Sequence, residues 1–152
     1  MSLTAASRSL PEVIFWAGLI TGSIDLCAAL TFAATRGTKP KLVLKAIASA
    51  LIGPKAFSQS GTIALGLGLH YLIAFTVAAI YAVASRYLPV LTEHSVLTGL
   101  LFGAAVYLFM AFVVLPLSRL NRPFSMSFFI GQLLINMFCV GLPIALVVKH
   151  FS

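Results

Sequence analysis

Four long apolar runs, at 13–34, 62–85, 96–117 and 128–148, limit what this chain can fold into more than any other feature. Each is close to the ~20 residues with which a helix crosses ~30 Å of hydrocarbon. Barrel strands would instead alternate apolar and polar residues over ~10-residue segments, and these runs are apolar all round. With 61% hydrophobic and only 9% charged residues, the 152-residue chain cannot cover a water-facing surface, for which soluble domains use about 25% charged residues. The fold expected is an all-α membrane protein, a single four-transmembrane-helix bundle with no separable catalytic or recognition module. At 22 residues the first run exceeds the apolar core of a secretory signal, about 7–15 residues, and no Ala-x-Ala site closes it, so it counts as a mature span.

A net charge of +7 would suggest nucleic acid in a soluble protein, but here the basic residues occupy connections and termini, so no nucleic-acid partner is expected. They report orientation instead. Arg36, Lys39, Lys41, Lys45 and Lys55 lie between the first two runs and Arg119 and Arg122 between the last two, leaving Arg8, Arg86 and Lys149 on the other side. Seven against three places both basic connections in the cytoplasm and both termini outside. The first connection has its own pattern over 41–52: Leu44, Ile47, Ala48 and Leu51 recur at helical spacing, with Lys41, Lys45 and Ser49 opposite, until Gly53-Pro54 ends it. An amphipathic interfacial helix is expected, with Lys41 and Lys45 toward lipid headgroups.

Inside the runs, polar and small residues share faces. Gly18 and Gly22 align with Asp25 on the first, Gly66 with His70 and Ala74 on the second, Gly99 and Gly103 with Tyr107 on the third, and Gln132 with Asn136 on the fourth. Small residues let membrane helices approach closely, so these stripes should face protein. At ~1.5 Å per residue from the cytoplasmic ends, Asp25 falls ~14 Å deep, His70 ~12 Å, Tyr107 ~15 Å and Asn136 ~12 Å. One polar side chain from each helix therefore sits in one layer, as expected if all four point inward and satisfy one another.

A carboxylate at that depth costs about 2.5–3.5 kcal/mol even on the lenient insertion scale. Alone in hydrocarbon it would take up a proton; beside an imidazole it forms either an ion pair or a hydrogen-bonded neutral pair, and both move a proton cheaply. Asp25, His70, Tyr107, Asn136 and Gln132 are thus the candidate binding residues. Two readings follow. One is a small membrane protein that binds or transports a proton or small solute through a titrating Asp25–His70 site. The other is a non-catalytic accessory or structural subunit, packing through its glycine faces in a homo-oligomer or larger complex, with the polar pair only fixing helix register. Pro116 and Pro143 should break the third and fourth helices by removing the bonds to the carbonyls of Phe112 and Cys139.

Other chemistries find no support. No His-Glu-x-x-His, Gly-x-Ser-x-Gly or Cys-x-x-Cys is present, and Gly66-Leu-Gly68-Leu-His70-Tyr71 fails the dinucleotide pattern. Cys27 and Cys139 are single thiols in different helices, expected as small packing residues. Ser23 and Asp25 are two residues apart on one helix and cannot easily flank one imidazole, which argues against a hydrolase. No cofactor and no metal are expected.

Gly18-x-x-x-Gly22-x-x-Asp25-Leu26-x-x-Ala29, Ile47-Ala48-Ser49-Ala50-Leu51-Ile52-Gly53-Pro54-Lys55-Ala56-Phe57, Leu69-His70-Tyr71-Leu72-Ile73-Ala74-Phe75, Val114-Leu115-Pro116-Leu117-Ser118 and Gly141-Leu142-Pro143-Ile144-Ala145-Leu146 resemble the recurrent phrases of small four-span bacterial membrane proteins of no known activity. The resemblance covers nearly the whole chain and implies a bacterial inner-membrane protein. A faint internal repeat accompanies it: Gly18-Leu-Ile-Thr-Gly22 parallels Gly99-Leu-Leu-Phe-Gly103, and Leu69-His70 parallels Ile135-Asn136, as though two hairpins packed about an axis along the membrane normal.

Overall fold

The computed structural model describes residues 8–119 and 123–152. Arg122, one of the basic residues used above for orientation, lies outside them. Among the described residues four helices are long and apolar enough to cross a membrane: Leu10–Thr35, Thr62–Tyr87, Ser95–Leu117 and Met126–Phe151. The chain is an all-α bundle of these four spans.

Local chemistry sets their ends. The first span opens on Leu10-Pro11-Glu12, with proline in the first turn, where its missing N–H costs nothing, and the Glu12 carboxylate accepting from the Ser9 N–H at 3.2 Å. It closes at Gly37, whose φ of +77° lets its N–H reach the Ala34 carbonyl at 3.0 Å and the Thr38 N–H reach that of Ala33 at 2.9 Å, the paired bonds that cap a helix C-terminus. The connecting helix then starts on Pro40 and runs to Ile52.

That connecting helix is held by protein on two sides. Gly66, one turn into the second span, lies so close to the Leu44 carbonyl that no Cβ would fit between them, and the Arg119 N–H, just past the third span, donates to the Ala50 carbonyl at 3.1 Å. The expected division of faces changes accordingly. Ser49, assigned to the polar stripe, is instead buried and donates to the Ala46 carbonyl at 2.6 Å, while Leu51 of the apolar stripe is open to its surroundings, as a side chain turned to lipid would be. Lys45 turns one of its donors to the Phe57 carbonyl at 3.0 Å and is half-buried, so of the two lysines expected at headgroups Lys41 is the exposed one.

The core occupies the half of the bundle nearest the termini. Val13 and Ala17 of the first span, Val77, Ala78, Tyr81 and Ala82 of the second, and Val140, Ile144, Ala145 and Val148 of the fourth close on one another there. Tyr81 is almost fully buried and joins its hydroxyl to the Leu91 carbonyl at 2.8 Å and to Thr98 Oγ1 at 2.9 Å, which ties the second span to the start of the third. Otherwise the third span packs mainly on the fourth, through the stripe Ser95, Gly99, Gly103 and Tyr107, its buried residues.

The two membrane prolines widen their helices instead of breaking them. Met110–Val114 and Asn136–Gly141 are π-helical, with the Leu115 N–H donating to Met110 and the Leu142 N–H to Met137, five residues back. Pro116 and Pro143 follow at the second position of the resumed α-helices, where the ring meets no α-helical partner to displace. The wide turn of the fourth span is seated on glycine: Gly103 lies against the backbone of Asn136 and Met137, and Gly99 and Gly141 lie against each other with no room for a Cβ on any of the three.

Candidate functional site

The first and second spans approach at Gly18 and Gly22, where the rings of Phe75 and Tyr71 and the Ala74 methyl fill the space a Cβ would need. That close approach carries two hydrogen bonds at equal sequence separation. His70 Nε2 meets the Gly22 carbonyl at 2.8 Å, and Ser23 Oγ meets the Tyr71 hydroxyl at 2.9 Å, both across 48 residues. A carbonyl oxygen only accepts, so Nε2 carries a hydrogen in this arrangement.

The tautomer follows from that bond. With Nε2 as donor, a neutral His70 presents the lone pair of Nδ1, and that atom faces Asp25 Oδ2 at 4.0 Å. Two lone pairs face each other unless one proton sits on either the carboxyl or the ring. The distance exceeds a direct hydrogen bond, so the two groups are neighbours with a gap between them. Neither is sealed: the side chains of His70 and Asp25 retain 11% and 22% of their exposure.

Two further groups belong to the first span and to the wide turn of the fourth that packs on it. Thr21, one turn before Asp25, is wholly buried, and its hydroxyl has no hydrogen-bond partner, an omission that costs about 1–3 kcal/mol. Cys139 lies in the wide turn of the fourth span, half-buried. Cys27, expected to be a packing residue, is exposed on the surface of the first span.

Among the described residues, the other two members of the expected polar layer make contacts within the third and fourth spans. Asn136 donates to the main-chain carbonyl of Gln132 at 3.0 Å within its own helix, and Tyr107 packs its ring on Phe129 with centroids 5.3 Å apart. Gly103, a turn before Tyr107, is what lies opposite Asn136, so Tyr107 falls a turn further along, against Phe129 near the beginning of the fourth span. The glycines themselves, Gly18, Gly22, Gly66, Gly99 and Gly103, all meet partners within the chain. They are therefore already covered and offer no bare face to a second protomer.

Sequence reasoning missed Tyr71 and Thr21. The signal for Tyr71 was its place next to His70, matching the place of Ser23 next to Gly22; nothing in the sequence distinguished Thr21. Two clefts lie away from the pair. One, of about 250 Å³, is near the termini among Ser85, Arg86 and Phe151, and the other, of about 470 Å³, lies between the end of the third span and the beginning of the fourth. Among the described residues no group of three or more His, Cys, Asp and Glu side chains could hold a metal ion. Compared with family models, curated proteins and solved structures, the chain matches none of them.

Proposed function

We propose that this is a small multi-pass protein of a bacterial inner membrane that binds a proton or small solute at Asp25 and His70 and passes it across. The observation that carries this reading is the 4.0 Å gap between Oδ2 and Nδ1 with Nε2 already committed to the Gly22 carbonyl. Only one proton is then exchanged between carboxyl and ring, and the ring does not have to turn for the exchange to occur. The two basic connections face the cytoplasm in this reading, and the termini face outward.

The alternative, a structural or accessory subunit, draws on a different observation. The His70–Gly22 and Ser23–Tyr71 bonds lock the register of the first two spans, which a purely architectural pair would also do. The two readings separate in liposomes carrying a pH-sensitive dye and a proton gradient. Asp25→Asn and His70→Ala are each expected to lower proton flux at least ~10-fold while circular dichroism stays helical. Unchanged flux in both folded variants rejects transport and leaves the structural reading.

A further inference from the structure

The larger cleft has the dimensions and chemistry of a lipid site. Its wall on the third span runs from Tyr107 to Pro116, nine residues or ~14 Å of helix, close to the ~15 Å of one leaflet's hydrocarbon, and continues onto Ser118 and Arg119 just past the helix. Phe112, Pro116, Phe124 and Phe129 make it apolar, and the rings of Phe112 and Phe124 both pack on Phe129, with centroids 6.0 and 5.9 Å away. Arg119 lies at the mouth, two residues beyond the end of the span and exposed. A groove that begins at a guanidinium and ends near mid-membrane has a polar end and an apolar end in the order that a phospholipid has.

Charge selects the headgroup. The chain has three acidic residues: Glu12 and Glu93 belong to the end that holds the termini, and Asp25 is inside the first span. The other end, with Arg36, Lys39, Lys41, Lys45, Lys55 and Arg119, contains no carboxylate side chain. Arg119 therefore has no acidic side chain of its own chain to pair with, and a guanidinium at a membrane surface binds phosphate oxygens through its planar fork. We infer that this cleft holds one acyl chain of an anionic phospholipid, with the phosphate on Arg119.

Phe124→Trp in a Trp16→Phe background, whose single indole then reports from the cleft alone, tests this in vesicles. Brominated phosphatidylglycerol at a given mole fraction is expected to quench the fluorescence of that indole at least ~3-fold more strongly than brominated phosphatidylcholine of the same chains. Arg119→Gln should bring that ratio close to one, whereas Lys41→Gln, which removes the same charge elsewhere on that end, should leave it unchanged. Equal quenching by the two lipids overturns the inference. So does an equal fall in Arg119→Gln and Lys41→Gln, which would mean a diffuse basic surface, or loss of the quenching on adding soluble glycerophosphate, which would mean a free anion. Should the reporter variant misfold, native mass spectrometry of the unaltered protein and of Arg119→Gln decides the same question: one phosphatidylglycerol retained in preference to phosphatidylcholine by the first and not the second supports it, and equal retention refutes it.

Discussion

His70 is asked to do two things at once, and its two nitrogens divide them. Nε2 bonds the Gly22 carbonyl and so contributes to holding two spans in register, while Nδ1 faces Asp25 across 4.0 Å. A glutamine can imitate the first nitrogen through its amide N–H but cannot exchange a proton. His70→Gln is therefore expected to unfold within about 0.5 kcal/mol of the parent yet to lose proton flux. Ser23→Ala should show the reverse, losing about 0.6–2 kcal/mol with the Tyr71 bond and keeping its flux; denaturant titration in mixed micelles beside the flux assay checks both. Asp25 and His70 were legible in the sequence because ionisable groups are costly in hydrocarbon. Ser23–Tyr71 was not, since a neutral hydroxyl in a span costs little and carries no sign of its partner. Thr21 was invisible for the same reason, its burial depending on a neighbouring helix.

At the scale of the helix, glycine spacing and proline position had different legibility. Which stripes pack could be seen from intervals of four, and Gly18, Gly22, Gly99 and Gly103 do meet other helices. What the prolines do could not, because a missing N–H says that a bond is lost and not how the chain absorbs the loss. Here the turn before each proline widens, and on the fourth span the widening is accommodated by Gly103. Gly103→Val is expected to cost about 1–3 kcal/mol, since its side chain would meet main-chain atoms that cannot rotate away. Gly68→Ala is the control: nothing lies within 4 Å of its added methyl, and the helix should gain up to ~1 kcal/mol. The connecting helix was legible as a helix, whereas Ser49 was assigned to the wrong face because periodicity assumes one apolar side and this helix has protein against it from two spans.

Across the whole molecule the number of crossings was readable from run length and composition alone, since no soluble surface can be made from so few charges. The order of neighbours was not, because it depends on which glycine stripe meets which. The first span contacts both the second and the fourth, while the third sits outside against the fourth. The two glycine meetings differ in kind: the Gly22 carbonyl accepts from the His70 ring, whereas Gly103 lies against the main chain of Asn136, whose side chain donates to Gln132. For orientation, Ser152→Cys in a Cys27→Ser background should react with an impermeant maleimide on intact spheroplasts, and Lys39→Cys only after lysis; the opposite pattern inverts the topology.

Asp25 lies ten residues from Thr35 in a span of 26, which is ~15 Å from one end of a helix ~39 Å long. Any cation arriving there from one face has traversed somewhat less than half of the membrane's electric field and, leaving by the other, must traverse the remainder. At about 2.3 kcal/mol per charge per 100 mV for a full crossing, roughly 1 kcal/mol falls on the shorter leg. In the transport reading proposed above, occupancy of the carboxylate would be coupled to voltage as well as to acidity, and the two legs together make loading from one face differ from loading from the other by about 2.3 kcal/mol, roughly 50-fold, per 100 mV.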